Sequence, residues 1–261
     1  TPVVSGMLDS AAELIGVGAT DTSVAVIRLG TAGGVMALTS GPEWRKGCML
    51  YPHPARPLWY YQAGTNAATT SLQWVLRLLG MDGADAGYDD VDNLVSQVPA
   101  GADGLLFHPY LLGERAPYWT SRIRGGFSGV TIKHGRPEFL RAVQEGVAFS
   151  LRDCAELLNW DAVSDIRLCG GGAKSRAWCQ IIADVLGLPV DQMYVQDASA
   201  LGAAMVAVAG CGEADLSQLA QASVKTSLRI EPDPTNHDIY NTGFQKYGKI
   251  ARQYLRTFDE A

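Results

Sequence analysis

The segment at residues 165–187 constrains the fold of this chain more than any other part of the sequence. It reads as a β-strand at 165–169, three consecutive glycines at 170–172, and a helix with one apolar stripe that ends at Gly187. Glycines at the start of a helix let a ligand approach the bare backbone, where unpaired N–H groups point outward. The spacing is neither the P-loop pattern G-x-x-x-x-G-K-S/T nor the G-x-G-x-x-G pattern of dinucleotide-binding folds. We therefore predict an α/β protein in which this turn contacts a nucleotide base or ribose.

A second glycine-rich turn lies near the start of the chain. A β-rich run at 23–29 leads into the sequence Leu-Gly-Thr-Ala-Gly-Gly at 29–34, and an apolar run follows at 35–38. This pattern predicts a β-hairpin. At its tip, Gly30 would let backbone N–H groups approach a phosphate closely, and the Thr31 hydroxyl would add another donor. The alternative is a β-turn without a ligand, because glycine hairpins are common.

Apolar patterns in the rest of the sequence predict further strands and helices. Strands are predicted at 58–63 and 190–195, with a further β-like run at 1–4. Residues 81–104 are predicted to be mostly a surface excursion, with one short helix at 91–98. Helices are predicted at 67–79, ending at Gly80, and at 200–209 and 239–255. The longest helix signal begins at Pro137, because proline suits the first turn of a helix and apolar residues follow at spacings of three and four.

Composition argues against several classes of function. The formal charge of −6 lacks the basic surplus that a nucleic-acid partner would require. The five cysteines and four histidines are scattered without a metal-ligand spacing, so we assign no residue to a metal and expect a reducing compartment. The longest apolar run, at 201–210, is about half the length that spans a bilayer, and no charged-then-apolar leader opens the chain. We therefore expect a cytoplasmic protein without a membrane partner.

Four segments resemble the FGGY family of carbohydrate kinases. Residues 169–187, CGGGAKSRAWCQIIADVLG, resemble the adenine-binding segment of members such as xylulokinase and gluconokinase, and residues 29–33 resemble the family's phosphate-binding hairpin. Residues 125–146, GGFSGVTIKHGRPEFLRAVQEG, resemble the C-terminal signature, with Gln144 where an apolar residue is usual. The GERAP loop at 113–117 is similar to one in xylulokinases and gluconokinases. The likeness runs in the family's order from Thr1 to about Gly210.

The resemblance implies an actin-like (ribonuclease H-like) ATPase fold, with a mixed sheet flanked by helices and two halves that face each other across a cleft. Residues 1–261 would form the C-terminal nucleotide-binding domain, and the N-terminal sugar-binding half would precede Thr1. The implied reaction is phosphorylation of a sugar by ATP with Mg2+. Xylulose is the first expectation, with gluconate, ribulose or a short polyol as alternatives. The chain by itself would turn over poorly, and because family members are often dimers, a homodimer stays open.

The resemblance also assigns a catalytic base. In the family an aspartate opens a helix after a glycine-rich strand end and takes the proton from the attacking sugar hydroxyl. The matching segment here is GMLDS at 6–10, so Asp9 would be the base. The alternative role is a helix cap. We favour the base because Ser10 and Glu13 read as a capping box, which would leave the Asp9 carboxylate free. Ser10 stands where the family has a polar amide that touches the sugar, so we expect Ser10 to border the substrate.

The same resemblance places the nucleotide. The hairpin tip would meet the β- or γ-phosphate, the triple-glycine turn would face the adenosine, and the helix at 67–79 would reach the nucleotide from a third side. For Gln73, a solvated surface role is an equal alternative. The residues assigned to the nucleotide are Gly30, Thr31, Thr69, Gln73, Gly171, Gly172 and Ala173.

Two other functions are compatible with these residues. A nucleotide-binding domain that regulates or scaffolds would need no catalytic Asp9. Another actin-like ATPase, such as a chaperone or a polymer-former, would hydrolyse ATP without a sugar, although the signature at 125–146 weighs against it. Glu114 and Arg115 have two open roles, a structural ion pair or a contact with a neighbouring subunit. The kinase hypothesis requires that Asp9 lies near Thr31 and that the turn at 170–172 lies on the same side of the molecule.

Overall fold

The computed structural model describes residues 1–55, 57–81, 87–158 and 160–259. Within these ranges, helices α1–α8 span Asp9–Gly16, Thr69–Leu78, Tyr88–Val95, Arg136–Ala155, Arg176–Leu186, Ala198–Gly210, Leu216–Ser223 and Pro234–Asp259. Strands β1–β9 span Val24–Leu29, Gly33–Thr39, Met49–Pro52, Trp59–Thr65, Leu106–His108, Gly126–Ser128, Asp165–Cys169, Val190–Met193 and Thr226–Ile230. Short 3-10 turns lie at Ala102–Gly104 and Gly171–Lys174.

Seven strands form one mixed sheet in the order β3-β4-β2-β1-β7-β8-β9, and β5 pairs with β6 in a separate small sheet. The pairs β1–β7 and β7–β8 are parallel, and the other neighbours are antiparallel. Leu29 pairs with Gly33 in the β1–β2 hairpin, and Arg28 pairs with Cys169 across β1 and β7. The hairpin tip and the carboxyl end of β7 therefore lie at the same end of the sheet.

Both faces of the central strands are buried, as is usual for parallel strands covered by helices. Alternate residues of β1 enter different hydrophobic clusters: Ile27 and Leu29 belong to the larger, and Val24 and Val26 belong to the smaller. Helices α4, α5 and α8 contribute to the larger cluster, and α1 and α6 contribute to the smaller. This arrangement confirms the predicted α/β class with a mixed sheet flanked by helices.

Helices α1 and α6 cross at a contact that only glycine permits. A Cβ atom at Gly16 would lie 1.8 Å from the carbonyl oxygen of Ala198, and a Cβ atom at Gly202 would lie 1.8 Å from the carbonyl oxygen of Ala12. Both distances are far below van der Waals contact, so the two backbones touch directly. The crossing fixes the position of α1, whose first residue is Asp9.

Several predicted elements are confirmed. The β1–β2 hairpin forms at the predicted place, and α2 and α5 end near Gly80 and Gly187. Both glycines have a positive φ, of 65° and 68°, which is the left-handed conformation that favours glycine after a helix. Helix α4 begins at Arg136 with Pro137 in its first turn.

Other predictions are wrong. Residues 1–4 form no strand, because no neighbouring strand pairs with them and Val3 is almost fully exposed. The longest helix within the described ranges is α8, with 26 residues, whereas α4 has 20. Helix α8 begins at Pro234, five residues before the predicted start at residue 239, because its first turns are polar and lack an apolar stripe. The short helix predicted at 91–98 is α3, which begins earlier, and residues 82–86 of that predicted excursion lie outside the described residues.

The predicted capping box at the start of α1 is also wrong. The residue before the helix makes no side-chain cap hydrogen bond. The Ser10 hydroxyl instead lies 2.9 Å from the hydroxyl of Tyr60 on β4, and the buried Glu13 carboxylate accepts a hydrogen bond from Cys169 at 3.3 Å. Tertiary partners therefore take both side chains away from the local motif. One oxygen of Asp9 accepts a hydrogen bond from the Ser10 N–H at 2.8 Å, so that carboxylate is less free than predicted.

Candidate active site

The two glycine-rich turns pack against each other. Gly170 follows β7 with a φ of 92°, and a Cβ atom there would lie 2.8 Å from the carbonyl oxygen of Leu29 and 3.2 Å from the nitrogen of Gly30. Only glycine allows this approach. At Gly171 the space around a Cβ atom is open. The turn at 170–172 therefore has one side against the hairpin and one side available to a ligand.

The start of α2 completes this corner. The N–H of Thr69 donates to the carbonyl oxygen of Gly30 at 2.9 Å, and the N–H of Ala68 donates to the carbonyl oxygen of Thr31 at 2.9 Å. A Cβ atom at Gly172 would lie 2.9 Å from the Thr69 methyl group. Three segments that are distant in the sequence thus meet around the hairpin tip. The Thr31 side chain is exposed there.

The other two residues predicted to contact the nucleotide differ in accessibility. Gln73 is exposed on α2, four residues after Thr69 and therefore on the same helical face. Ala173 has no exposed surface, its N–H donates to the carbonyl oxygen of Gly170, and its own carbonyl oxygen accepts from Gln192. Ala173 therefore packs in the core below the turn, and its methyl group offers no surface to a ligand.

The Asp9 carboxylate stands at the N-terminus of α1, on one wall of a cavity. Its side chain is 78% exposed, and one oxygen lies 3.9 Å from a guanidinium nitrogen of Arg28. Asp9, Ser10 and Thr31 all line this cavity. The arrangement meets the requirement that Asp9 lies near Thr31, with the turn at 170–172 against the same hairpin.

Sequence reasoning missed Arg28, which organises the Asp9 wall. The Arg28 Nε atom lies 3.6 Å from an oxygen of Glu13, so the guanidinium bridges Glu13 and Asp9. Burial raises the pKa of the Glu13 carboxyl, and the neighbouring Arg28 opposes that shift. A single charged residue in the otherwise apolar strand VAVIRL is the signal that could have identified Arg28.

The cavity has a surface suited to binding an anionic ligand and a carboxylate that can accept a proton. Bare backbone at the hairpin tip can approach phosphate oxygens, and the exposed Asp9 carboxylate can accept a proton from a bound hydroxyl group.

Across the described ranges, no group of three or more His, Cys, Asp or Glu residues is placed to hold a metal ion. In the same part of the chain, no helix has the length and apolarity needed to cross a membrane.

Comparison with known proteins identifies the family. The chain matches the C-terminal domain of the FGGY family of carbohydrate kinases over residues 25–211. It is 31% identical to the xylulose kinase of Staphylococcus epidermidis in an alignment of 256 positions, gaps included, that covers 96% of this chain and 51% of that protein. It is 32% identical to the xylulose kinase of Bacillus subtilis in an alignment of 264 positions, gaps included, that covers 99% of this chain and 52% of that protein.

Solved structures agree with the sequence comparison. The crystal structure of xylulose kinase from Rhodospirillum rubrum superimposes with a TM-score of 0.87 at 29% identity, covering 99% of this chain and 52% of that one. The chain thus spans about half the length of the relatives it matches. These kinases have the actin-like ATPase fold, which confirms the predicted fold class. The chain belongs to the FGGY family of carbohydrate kinases and corresponds to the C-terminal half of its members.

Proposed function

We propose that the protein transfers the γ-phosphoryl group of ATP to a hydroxyl group of a sugar, with Asp9 as the general base. The observation that carries this proposal is that Asp9 and Thr31 line one cavity, while the turn at 170–172 packs against the same hairpin. Family membership supports the reaction class. Residues 1–261 would form the nucleotide-binding domain, and the other half of the enzyme would supply most contacts to the sugar.

The position of Asp9 suits the proton transfer. The sugar hydroxyl becomes acidic only as its oxygen bonds to phosphorus, so a carboxylate can orient it first and accept its proton late. Asp9 is exposed to the cavity, while its hydrogen bond from Ser10 and the nearby Arg28 restrict the rotation of the carboxylate. Ser10 would border the sugar only through its backbone, because its hydroxyl is engaged with Tyr60.

The nucleotide would lie along the hairpin and the triple-glycine turn. Gly30 and the exposed Thr31 hydroxyl would bind the β- or γ-phosphate. Gly171 and Gly172 would pass under the adenosine, with Ala173 supporting them from the core. The start of α2 would close the site, and the residues proposed there are Thr69 and Gln73.

Magnesium belongs to the same proposal, because charge on the β- and γ-oxygens must be neutralised during transfer. Among the described residues that line the cavity, Asp9 supplies the one carboxylate. Mg2+ is commonly held by one or two carboxylates together with phosphate oxygens and water. This wall of the cavity therefore does not form a complete metal site, and the ion would depend on the phosphates and on groups outside residues 1–261.

Xylulose is the first proposed substrate, because both curated relatives described above carry the name xylulose kinase. The test is an ADP-release assay of the full-length protein with ATP, Mg2+ and a panel of ketoses, aldonates and polyols. We expect ADP release that depends on a sugar and is fastest with xylulose. ADP release that is equally fast without any sugar would instead indicate another kind of actin-like ATPase. Nucleotide binding without ADP release would favour a regulatory domain.

We also propose a cytoplasmic location, with a homodimer as the oligomeric state to test.

A further inference from the structure

Arg115 enters the cavity from a loop whose role the sequence left open. Its Nη2 atom donates a hydrogen bond to the carbonyl oxygen of Thr65 at 3.0 Å, and it would lie 3.0 Å from a Cβ atom at Gly64. Gly64 pairs with Gly34 across β4 and β2, next to the hairpin tip. The guanidinium therefore lies over the bare end of the sheet, and it lines the same cavity as Asp9.

A buried carboxylate holds this loop in place. Glu114 is 2% exposed and accepts hydrogen bonds from the Thr65 hydroxyl at 2.5 Å, from the Asn66 N–H at 2.8 Å and from the Arg115 N–H at 2.7 Å. The Ser150 hydroxyl adds a longer contact at 3.4 Å. Burial raises the pKa of the Glu114 carboxyl to about 7. Its acceptor positions are thus occupied by hydroxyl and backbone donors, and it forms no ion pair with the Arg115 guanidinium.

The two arginines of the cavity differ in charge balance. Arg28 lies within 4 Å of carboxylate oxygens of both Asp9 and Glu13. Within the described ranges, no carboxylate oxygen lies that close to the side-chain nitrogens of Arg115, and its hydrogen bond to the Thr65 carbonyl oxygen uses only one of the two terminal nitrogens. A guanidinium that is held in a cavity with unused donors is suited to bind an anion with more than one oxygen.

We infer that Arg115 binds the phosphoryl group that is transferred, by donating hydrogen bonds to the γ-phosphate oxygens of ATP. This inference rests on the proposed kinase function. In the reaction the sugar oxygen forms a bond to phosphorus, the bond from phosphorus to the ADP oxygen breaks, and the hydroxyl proton goes to Asp9. Arg115 gives up no proton and stabilises the charge on the phosphoryl oxygens throughout. Its planar guanidinium group also favours binding of a nucleotide that carries a γ-phosphate over binding of one that lacks it.

The test measures binding and catalysis in the full-length protein. Wild type, Arg115→Gln and Arg115→Lys are titrated with Mg-AMP-PNP and with Mg-ADP, and Arg256→Gln, which is exposed on α8, is the matched control. We expect Arg115→Gln to weaken AMP-PNP binding by roughly tenfold or more and ADP binding by less than about twofold. It should lower kcat by about 100-fold. Arg115→Lys should recover part of both losses, and Arg256→Gln should behave as wild type.

Four results would overturn the inference. Equal weakening of both nucleotides would assign Arg115 to structure or to the diphosphate, and a rise in the sugar KM alone would assign it to the sugar. Unchanged AMP-PNP binding in Arg115→Gln would rule out the proposed contact between Arg115 and the γ-phosphate. Wild-type protein that binds neither nucleotide would rule out the proposed nucleotide site. If no sugar supports ADP release, the kinase proposal fails, but selective loss of AMP-PNP binding would still support the γ-phosphate contact.

Discussion

The substitution Gly202→Ala tests whether the crossing of α1 and α6 positions Asp9, the proposed general base. Alanine is a better helix former than glycine, so without a tertiary contact the change would stabilise α6 by about 1 kcal/mol. In the structure the new methyl group would lie 1.8 Å from the carbonyl oxygen of Ala12. Ordinary contact begins near 3.4 Å, so the helices must separate by about 1.6 Å, the difference between those two distances.

The magnitude follows from these opposing effects. Overpacking of a well-packed contact costs about 1–3 kcal/mol, and a displaced backbone places Gly202→Ala at the upper end of that range. After the gain in helix propensity, we expect a net loss of about 2 kcal/mol in the free energy of unfolding. For a domain of this size that loss lowers the melting temperature by roughly 4–8 °C. Because Asp9 is the first residue of α1, sugar-dependent ADP release should fall as well.

The assay is thermal and urea denaturation of this chain, with Gly248→Ala on α8 as the matched control. The nearest atom to a Cβ at Gly248 is the end of the flexible Arg252 side chain, at 3.7 Å, so the same substitution there should stabilise the protein by up to about 1 kcal/mol. If Gly202→Ala melts at or above the wild-type temperature, the close crossing of the two helices is refuted.

Three further predictions concern the glycine turn and buried charge. Gly170→Ala should lower stability by about 2 kcal/mol and weaken ATP binding, measured by urea denaturation and titration, because Gly170 has a φ of 92° and a methyl group there would lie 2.8 Å from a backbone carbonyl of β1. Burial lowers the pKa of His108 from 6.5 to about 4, so wild type should lose about 3 kcal/mol of stability from this group as the pH falls from 6.5 to 4. In urea denaturation at several pH values, the free energy of unfolding of His108→Asn should fall less between pH 6.5 and pH 4 than that of wild type. Buried carboxyls with a raised pKa change stability in the opposite direction over this range, so the pH dependence of the variant is compared directly with that of wild type. Arg141→Met should cost about 3–5 kcal/mol by urea denaturation, because it removes the cation 2.8 Å from the buried Glu145 carboxylate.

Local patterns in the sequence were sufficient to predict the elements that carry the proposed nucleotide site. The β1–β2 hairpin and α5 have short-range signals, namely glycine turns, alternation and a left-handed cap at Gly187. Strand β9 was not predicted, because it is an edge strand with mostly exposed residues and no apolar alternation. Strand β3 and helix α7 were not predicted either, since both are short and only partly buried.

Contacts between distant segments could not be predicted in the same way. Ser10 and Glu13 fit a capping box locally, but Tyr60 and Cys169 bind them in the folded protein. The glycine at 202 is indistinguishable in the sequence from the other small residues of α6, and only the crossing with α1 shows why a methyl group is excluded there. The cavity that joins Asp9, Thr31 and Arg115 likewise combines three separate segments of the chain.

The most direct test of the proposed mechanism is the Asp9→Asn variant of the full-length protein, measured for both phosphoryl transfer and Mg-ATP binding. Asparagine preserves the shape of the side chain and an oxygen that can accept from the Ser10 N–H, but it cannot take the sugar proton. We predict that kcat falls by about 1000-fold while the Kd for ATP changes by less than about twofold. The exposed Asp161→Asn is the control and should keep wild-type activity. An Asp9→Asn enzyme that retains activity within about tenfold of wild type would contradict the assignment of Asp9 as the base.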